Sequence, residues 1–210
     1  MEGKIKVPDW AYLNKYKDEN ALIAAPSLGE KRIVFFGDSV IAGWGTIYSE
    51  FFVNKTYINR GINGQTTSQM LLRFRHDVIE LKPKIVVILA GTNDIAGNTG
   101  HVTLETILEN LISMYELAKA NHIKVILCSV LPAYDYPWKT GQEPAEKIET
   151  LNKMIQIFAK ASDVMYVNYY SVMVDNRKGL KAIYSEDGVH PNKVGYQVMA
   201  PIIEKAINNL

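Results

Sequence analysis

The sequence predicts a three-layer α/β/α domain around a five-stranded parallel sheet, and three observations carry that prediction. Five short apolar runs recur along the chain, amphipathic stretches of helical length separate most of them, and one run, Ile85-Val86-Val87-Ile88-Leu89-Ala90, is apolar without alternation. A half-exposed strand alternates because successive side chains point to opposite faces; an unbroken, β-branched run belongs to a strand covered on both. Strands joined through helices form right-handed crossovers, which yields a parallel sheet with helices on either side.

Taken in order, residues 1 to about 30 are irregular, but Trp10, Tyr12, Leu13 and Tyr16 are too aromatic for a linker and predict a short helix packed on the body. Strands are expected over 32–36, 56–59, 84–90, 123–131 and 164–168. Helices are expected over 68–81, 104–121 and 145–161, with a last one from 193 to the C-terminus. In the second of these, Leu104, Ile107, Leu108, Leu111, Met114, Tyr115 and Ala118 recur at helical spacing, while Glu105, Glu109, Asn110 and Lys119 fill the other face. Residues 132–144 read as a long loop rich in proline and aromatic residues. With no internal repeat, residues 1–210 are expected to form one domain, 1–30 being an extension packed on it.

Composition excludes several classes of function. A chain of 210 residues and 48% hydrophobic composition is long enough to bury about 70% of its unfolded surface, and is not disordered. Its 23 basic and 22 acidic residues leave a net charge of +1, so no global field favours nucleic acid or an anionic membrane. The single cysteine, Cys128, forms no intramolecular disulfide, and its apolar surroundings read as a buried strand. The opening residues lack a signal-like apolar region, and no run approaches the ~20 residues of a membrane span. The expectation is a soluble chain, cytoplasmic as written or exported if a signal peptide was trimmed.

In open α/β sheets, ligands bind beyond the carboxyl ends of the strands. Polar segments fall there after the first three strands, as Gly37-Asp38-Ser39, Gly61-Ile62-Asn63-Gly64-Gln65-Thr66-Thr67 and Gly91-Thr92-Asn93-Asp94, while Asp187-Gly188-Val189-His190-Pro191-Asn192 precedes the last helix. An acyl-transfer site needs a nucleophile, a base, a group that orients the base, and donors for an oxyanion. Ser39, at a strand-to-helix turn, suits the nucleophile; His190 suits the base, and Asp187, three residues earlier, is spaced to accept from imidazole Nδ1. The Ser39 N–H, the Gly64 N–H and the Asn93 side-chain amide are the expected oxyanion donors. Each segment alone has a plainer reading, as a glycine turn, a helix cap or an Asx turn. Their joint occurrence in order at strand ends favours the site.

These blocks, Phe36-Gly37-Asp38-Ser39-Val40, Asn59-Arg60-Gly61-Ile62-Asn63-Gly64, Gly91-Thr92-Asn93-Asp94 and Asp187-Gly188-Val189-His190-Pro191, resemble the SGNH hydrolase superfamily, the GDSL esterases and lipases, over about residues 32 to 200. The resemblance implies a flavodoxin-like sheet, an ester-hydrolase activity without a cofactor, Ser39 and His190 as catalytic residues, Asp187 as the orienting acid, and Gly64 and Asn93 as oxyanion donors. Val40 stands where the family name has leucine, and keeps the apolar character. The Gly-x-Ser-x-Gly pentapeptide of the α/β-hydrolases is absent.

Other residues are weaker candidates. His76, His101 and His122 make no local metal motif with each other or with His190, so no metal is expected. Arg73 and Arg75 read as solvated helix surface, and Arg60 as a residue near the substrate. Trp44, Arg60, Tyr134, Tyr136 and Trp138 are the candidate substrate rim, although Tyr134, Tyr136 and Trp138 equally suit a cluster with Trp10 and Tyr12. The expected substrate is a short, acetyl-like ester of a carbohydrate or other polar alcohol. Lysophospholipase, platelet-activating-factor acetylhydrolase-like and thioesterase activities remain alternatives, as does a non-catalytic carbohydrate-binding protein on the same fold. No partner beyond a small-molecule or glycan ester is indicated, and oligomeric state is left open.

Overall fold

Alternate side chains of each strand feed two separate apolar layers. In the computed structural model, which describes residues 8–210, the strands are β1 (Ile33–Gly37), β2 (Tyr57–Gly61), β3 (Ile85–Leu89), β4 (Lys124–Cys128) and β5 (Met165–Val167). The helices are α1 (Lys17–Leu22), α2 (Ser39–Ile47), α3 (Thr67–Asp77), α4 (Thr92–Ile95), α5 (Leu104–Ala120), α6 (Pro144–Ala161), α7 (Tyr170–Met173) and α8 (Lys193–Asn208). Val34, Phe36, Val86, Ile88 and Leu127 pack with α3, α5 and α6 through Phe74, Leu111 and Leu151. Ile33, Phe35, Val87, Leu89 and Ile126 pack with α2 and α8 through Ile41, Trp44, Met199 and Ile203. The result is the expected α/β/α sandwich.

All strand pairings are parallel, in the order β2-β1-β3-β4-β5. The chain moves outward from β1 to β2 and then crosses to the other side of β1, so the carboxyl ends of β1 and β3 flank the point where the winding reverses. Loops leaving such a point diverge and open a crevice. Here they are the segments that carry Ser39 and Asn93.

The boundaries differ from expectation where side chains capture the backbone. β4 ends at Cys128: Ser129 N–H still donates to Val167 O of β5 at 2.9 Å, but the Asn152 side chain takes Val130 N–H at 2.8 Å and donates to Val130 O at 3.0 Å, turning the chain out of the ladder. The helix expected over 68–81 stops at Asp77; a short 3-10 turn, Ile79–Leu81, follows and closes with Lys82 in the left-handed region at φ 51°, just before Pro83. The aromatic helix expected around Trp10–Tyr16 is instead a series of turns, with Tyr12 at φ 56° and the Asp9 carboxylate accepting from Leu13 and Asn14 N–H. The segment still docks on the body: Gln65 Nε2 donates to Ala11 O at 2.9 Å and Gln69 Nε2 to Trp10 O at 2.7 Å.

Cys128 is buried at the end of β4, where burial pushes its thiol far up. Among the described residues, no helix is long and apolar enough to cross a membrane.

Candidate active site

Ser39 is the first residue of α2, and its geometry is set by its neighbours. The Asp38 carboxylate caps the helix by accepting from Val40 N–H at 2.9 Å, so the Ser39 N–H lies in the first turn, at the positive end of the helix dipole. A glycine at 61 allows β2 to approach this helix closely: a Cβ there would stand 2.1 Å from the Ala42 nitrogen. The end of β2 is thereby pressed against the first turns of α2.

His190 reaches the same point from the other end of the chain. Its Nε2 lies 3.0 Å from Ser39 Oγ, and its Nδ1 lies 2.6 Å from Asp187 Oδ2. The second oxygen of Asp187 accepts from the backbone N–H groups of His190 and Val189, at 2.8 and 2.9 Å, and from Ser185 Oγ at 3.1 Å. Burial pushes the Asp187 carboxyl up, but these hydrogen bonds outweigh it and hold the group at about 2. An ionised carboxylate only accepts, so Nδ1 carries the imidazole proton and Nε2 presents its lone pair to the serine hydroxyl. The arrangement is chemically able to take a proton from Ser39.

The expected oxyanion donors converge less evenly. Gly64 sits on an exposed turn at φ 76°, a left-handed conformation that costs glycine little, and no group among the described residues accepts its N–H. Asn93 is buried in α4; its Nδ2 donates to Gln65 O at 3.0 Å and lies 3.4 Å from Asp38 Oδ2. Its Oδ1 accepts from Asn98 Nδ2 at 2.8 Å. Asn98 also approaches Gly64 O at 3.3 Å and receives Trp138 Nε1–H at 3.3 Å. Nothing in the sequence singled out Asn98; it is one polar residue in a loop.

Of the expected rim, Tyr134 and Trp138 are exposed, and Trp138 lies with its ring centroid 5.8 Å from that of His190. Three others are corrected by burial. Trp44 has no exposed surface and stacks between Phe51 at 4.7 Å and Tyr196 at 5.3 Å, as part of the layer beneath α2. Tyr136 is equally buried, stacked under Trp138 at 5.0 Å. Arg60 faces the N-terminal segment instead of the crevice: it donates to Asn20 Oδ1 at 2.8 Å and lies 4.4 Å from the Tyr16 ring centroid. Nor do these aromatics cluster with Trp10 and Tyr12, whose neighbours are Gln69 and the β2 loop.

Arg73 is the largest departure from the sequence reading. Far from being solvated, it is fully buried, donating to Asp77 Oδ2 at 2.9 Å, Gln65 Oε1 at 2.5 Å and Gly37 O at 3.0 Å. It therefore ties the loop after β2 to the end of β1, immediately before Ser39. Arg75 is exposed as expected, and so is His76, which pairs with Glu80.

Two recesses are lined by neighbours of the serine and histidine in the chain, though by neither residue itself. One of about 240 Å³ adjoins Asp187 and Gly188 and is lined by Tyr134, Asp135 and Arg177. The other, of about 590 Å³, lies between Tyr12 and Tyr16 of the N-terminal segment, α2, and Ile62 and Asn63 of the β2 loop. Both are lined by aromatic and polar groups.

Comparison with known proteins agrees with this fold. A model of the GDSL-like lipase/acylhydrolase family matches residues 35–198. The chain is similar to the crystal structure of a GDSL-like lipase of Bacteroides thetaiotaomicron, with 49% identity and a TM-score of 0.93 over 95% of this chain and 98% of that one. It is 36% identical to the uncharacterized lipoprotein YqeF of Bacillus subtilis over 50% of each chain. It is also 31% identical to the platelet-activating factor acetylhydrolase IB subunit alpha1 of Bos taurus, over 51% of this chain and 47% of that protein. The chain thus spans about half the length of these two curated relatives.

Proposed function

Because the chain belongs to the GDSL-like lipase/acylhydrolase family, we propose that it is a serine ester hydrolase that removes a short, acetyl-sized acyl group from a carbohydrate or other polar alcohol. The observation that carries the proposal is the hydrogen-bonded chain from Ser39 Oγ through His190 to Asp187. In this reading, Ser39 Oγ attacks the ester carbonyl as His190 Nε2 takes its proton, and Asp187 stabilises the imidazolium. The carbonyl oxygen, now negative, accepts from the Ser39 and Gly64 N–H groups and from Asn93 Nδ2. Collapse breaks the bond to the alcohol, which leaves with the proton from His190, and water repeats the sequence on the acyl-enzyme.

The substrate class is supported by the walls. Trp138 offers an exposed flat face beside the base, and Tyr134, also exposed, lines a recess of about 240 Å³ that Asp187 shares and that charged and aromatic side chains surround. Such walls suit a sugar ring, which stacks its C–H face on an aromatic and hydrogen-bonds at its edge, better than they suit a long alkyl chain. The acetylhydrolase relative favours acetyl as the acyl group and, as a second reading, a phospholipid alcohol. The lipoprotein relative is consistent with an exported form of the chain.

A panel of p-nitrophenyl esters from C2 to C12, run beside acetylated sugars, an acetylated phospholipid and acyl thioesters, tests the reading. Turnover should be greatest at C2 and lost in Ser39→Ala, which should also fail to react with a fluorophosphonate. An optimum at C8 or longer would replace the proposed substrate with a lipid, and labelling that survives Ser39→Ala would remove Ser39 from the chemistry.

A further inference from the structure

We infer that Asn98, in the loop after α4, is a positioning residue that fixes which end of the Asn93 carboxamide faces the reacting carbonyl. The inference rests on the oxyanion role proposed above for Asn93. A carboxamide has an accepting and a donating end of nearly equal size, so packing alone does not choose between them; hydrogen-bond polarity does.

Gln65 O, which can only accept, sets it at Asn93 Nδ2, and two further groups with only one possible role set it at Asn98, which holds the other end of Asn93. Trp138 Nε1–H can only donate, and it meets Asn98 Oδ1 at 3.3 Å; Gly64 O can only accept, and it meets Asn98 Nδ2 at 3.3 Å. With its oxygen and nitrogen thus assigned, Asn98 donates to Asn93 Oδ1 at 2.8 Å. Reversing Asn98 would place its oxygen against two acceptors and its amide against the indole N–H. The direction therefore runs from Trp138 to Asn98 to Asn93.

The consequence falls on the far end of Asn93. Its Oδ1 is held by Asn98 and one Nδ2 hydrogen is held by Gln65 O at 3.0 Å. Among the described residues, the other hydrogen has only the distant Asp38 Oδ2, at 3.4 Å, as a protein acceptor. With the amide plane pinned on both sides, that N–H is the one left for a developing oxyanion. A donor fixed before the reaction needs no reorganisation during it, and this is the condition under which such a donor is most effective. Asn98 reaches no reacting atom itself and acts through Asn93. It also links Asn93 to Trp138, the ring beside His190, so the donor side and the base side of the crevice share one polar thread.

The test is a double-mutant cycle on p-nitrophenyl acetate, with wild type, Asn98→Ala, Asn93→Ala and the double variant. Asn98→Ala should lower kcat about tenfold with KM changed less than twofold, by loss of preorganisation. In the Asn93→Ala background, the same change should cost less than about threefold, because nothing is left to orient. A kcat within twofold of wild type, or the same tenfold loss in both backgrounds, overturns the inference. Side-chain amide exchange by NMR reads the same point without turnover: the Asn93 Nδ2 protons should exchange about tenfold faster in Asn98→Ala, and unchanged exchange counts against it. A wild-type chain inert to every ester, or active after Ser39→Ala, would instead sink the hydrolase reading and leave the exchange measurement to decide the role of Asn98.

Discussion

Arg73→Met removes the guanidinium that joins two loops of the site while keeping most of the aliphatic volume, so the loss of donors should dominate any cavity. The side chain has no exposed surface, and its guanidinium lies 4.1 Å from the centroid of the Phe36 ring. After the change, Gly37 O keeps the Ile62 N–H at 3.1 Å, and Asp77 keeps Asn20 Nδ2 at 2.8 Å. Gln65 Oε1 loses its partner, and the buried Asp77 carboxylate loses its counter-charge. Breaking a buried pair from one side costs about 3–5 kcal/mol, a large part of the roughly 5–15 kcal/mol that holds a typical domain together. For a domain of this length each kcal/mol moves Tm by about 2–4 °C, so the expected fall is about 6–20 °C. Urea unfolding followed by circular dichroism and fluorescence measures it directly. Arg73→Met/Asp77→Leu should regain most of the loss, because an apolar pair of similar volume is often as stable as a buried ion pair. A single variant within 1 kcal/mol of wild type, or a double variant no more stable than the single, would refute the assignment of a buried, mutually dependent pair.

Other perturbations probe the site itself. Asn93→Ala should lower kcat about 10²–10³-fold with little change in KM, as expected for a donor used mainly in the transition state; a fully active variant would leave Ser39 and Gly64 as the proposed donors. Burial pushes the Asp38 carboxyl up to about 7 from 3.8, against the opposing influence of Val40 N–H and His190. A raised folded-state value means that this group's contribution to stability is intact below 3.8 and is lost as pH climbs through about 7. Asp38→Asn keeps an acceptor for Val40 N–H, so it should raise Tm more at pH 8 than at pH 5, and equal shifts at both would contradict the buried-carboxyl account. Tyr134→Ala should raise KM for acetylated sugars several-fold and leave p-nitrophenyl acetate nearly unaffected; parallel changes on both substrates would take Tyr134 off the rim.

The sheet was legible because β-branched runs and helical periodicity are local signals; the segments bearing Ser39, Gly64 and Asn93 stand out because polar clusters at strand ends are unusual in a buried sheet, and the one bearing His190 stands out by its three-residue spacing from Asp187. Residues whose environment is made by distant chain were not. Arg60 looks like a substrate contact until the N-terminal segment closes over it. Trp44 did carry a signal, since Val40, Ile41 and Trp44 share one helix face. Arg73 and Asp77 are likewise four residues apart on a helix that also buries Met70 and Phe74. In the 132–144 loop no periodicity separates Tyr136, turned inward, from Tyr134 and Trp138, turned out.

The lone thiol at the end of β4 has a use unrelated to hydrolysis. Cys128 is 3% exposed, and burial keeps it protonated, so a soluble alkylating reagent has no reactive target in the intact fold. Its neighbours come from β4, the edge strand β5 and α7, so exposing it requires at least this edge of the sheet to open. The alkylation rate at low denaturant would therefore count openings of that edge, one label per event. The chain carries its own clock for how often this edge opens.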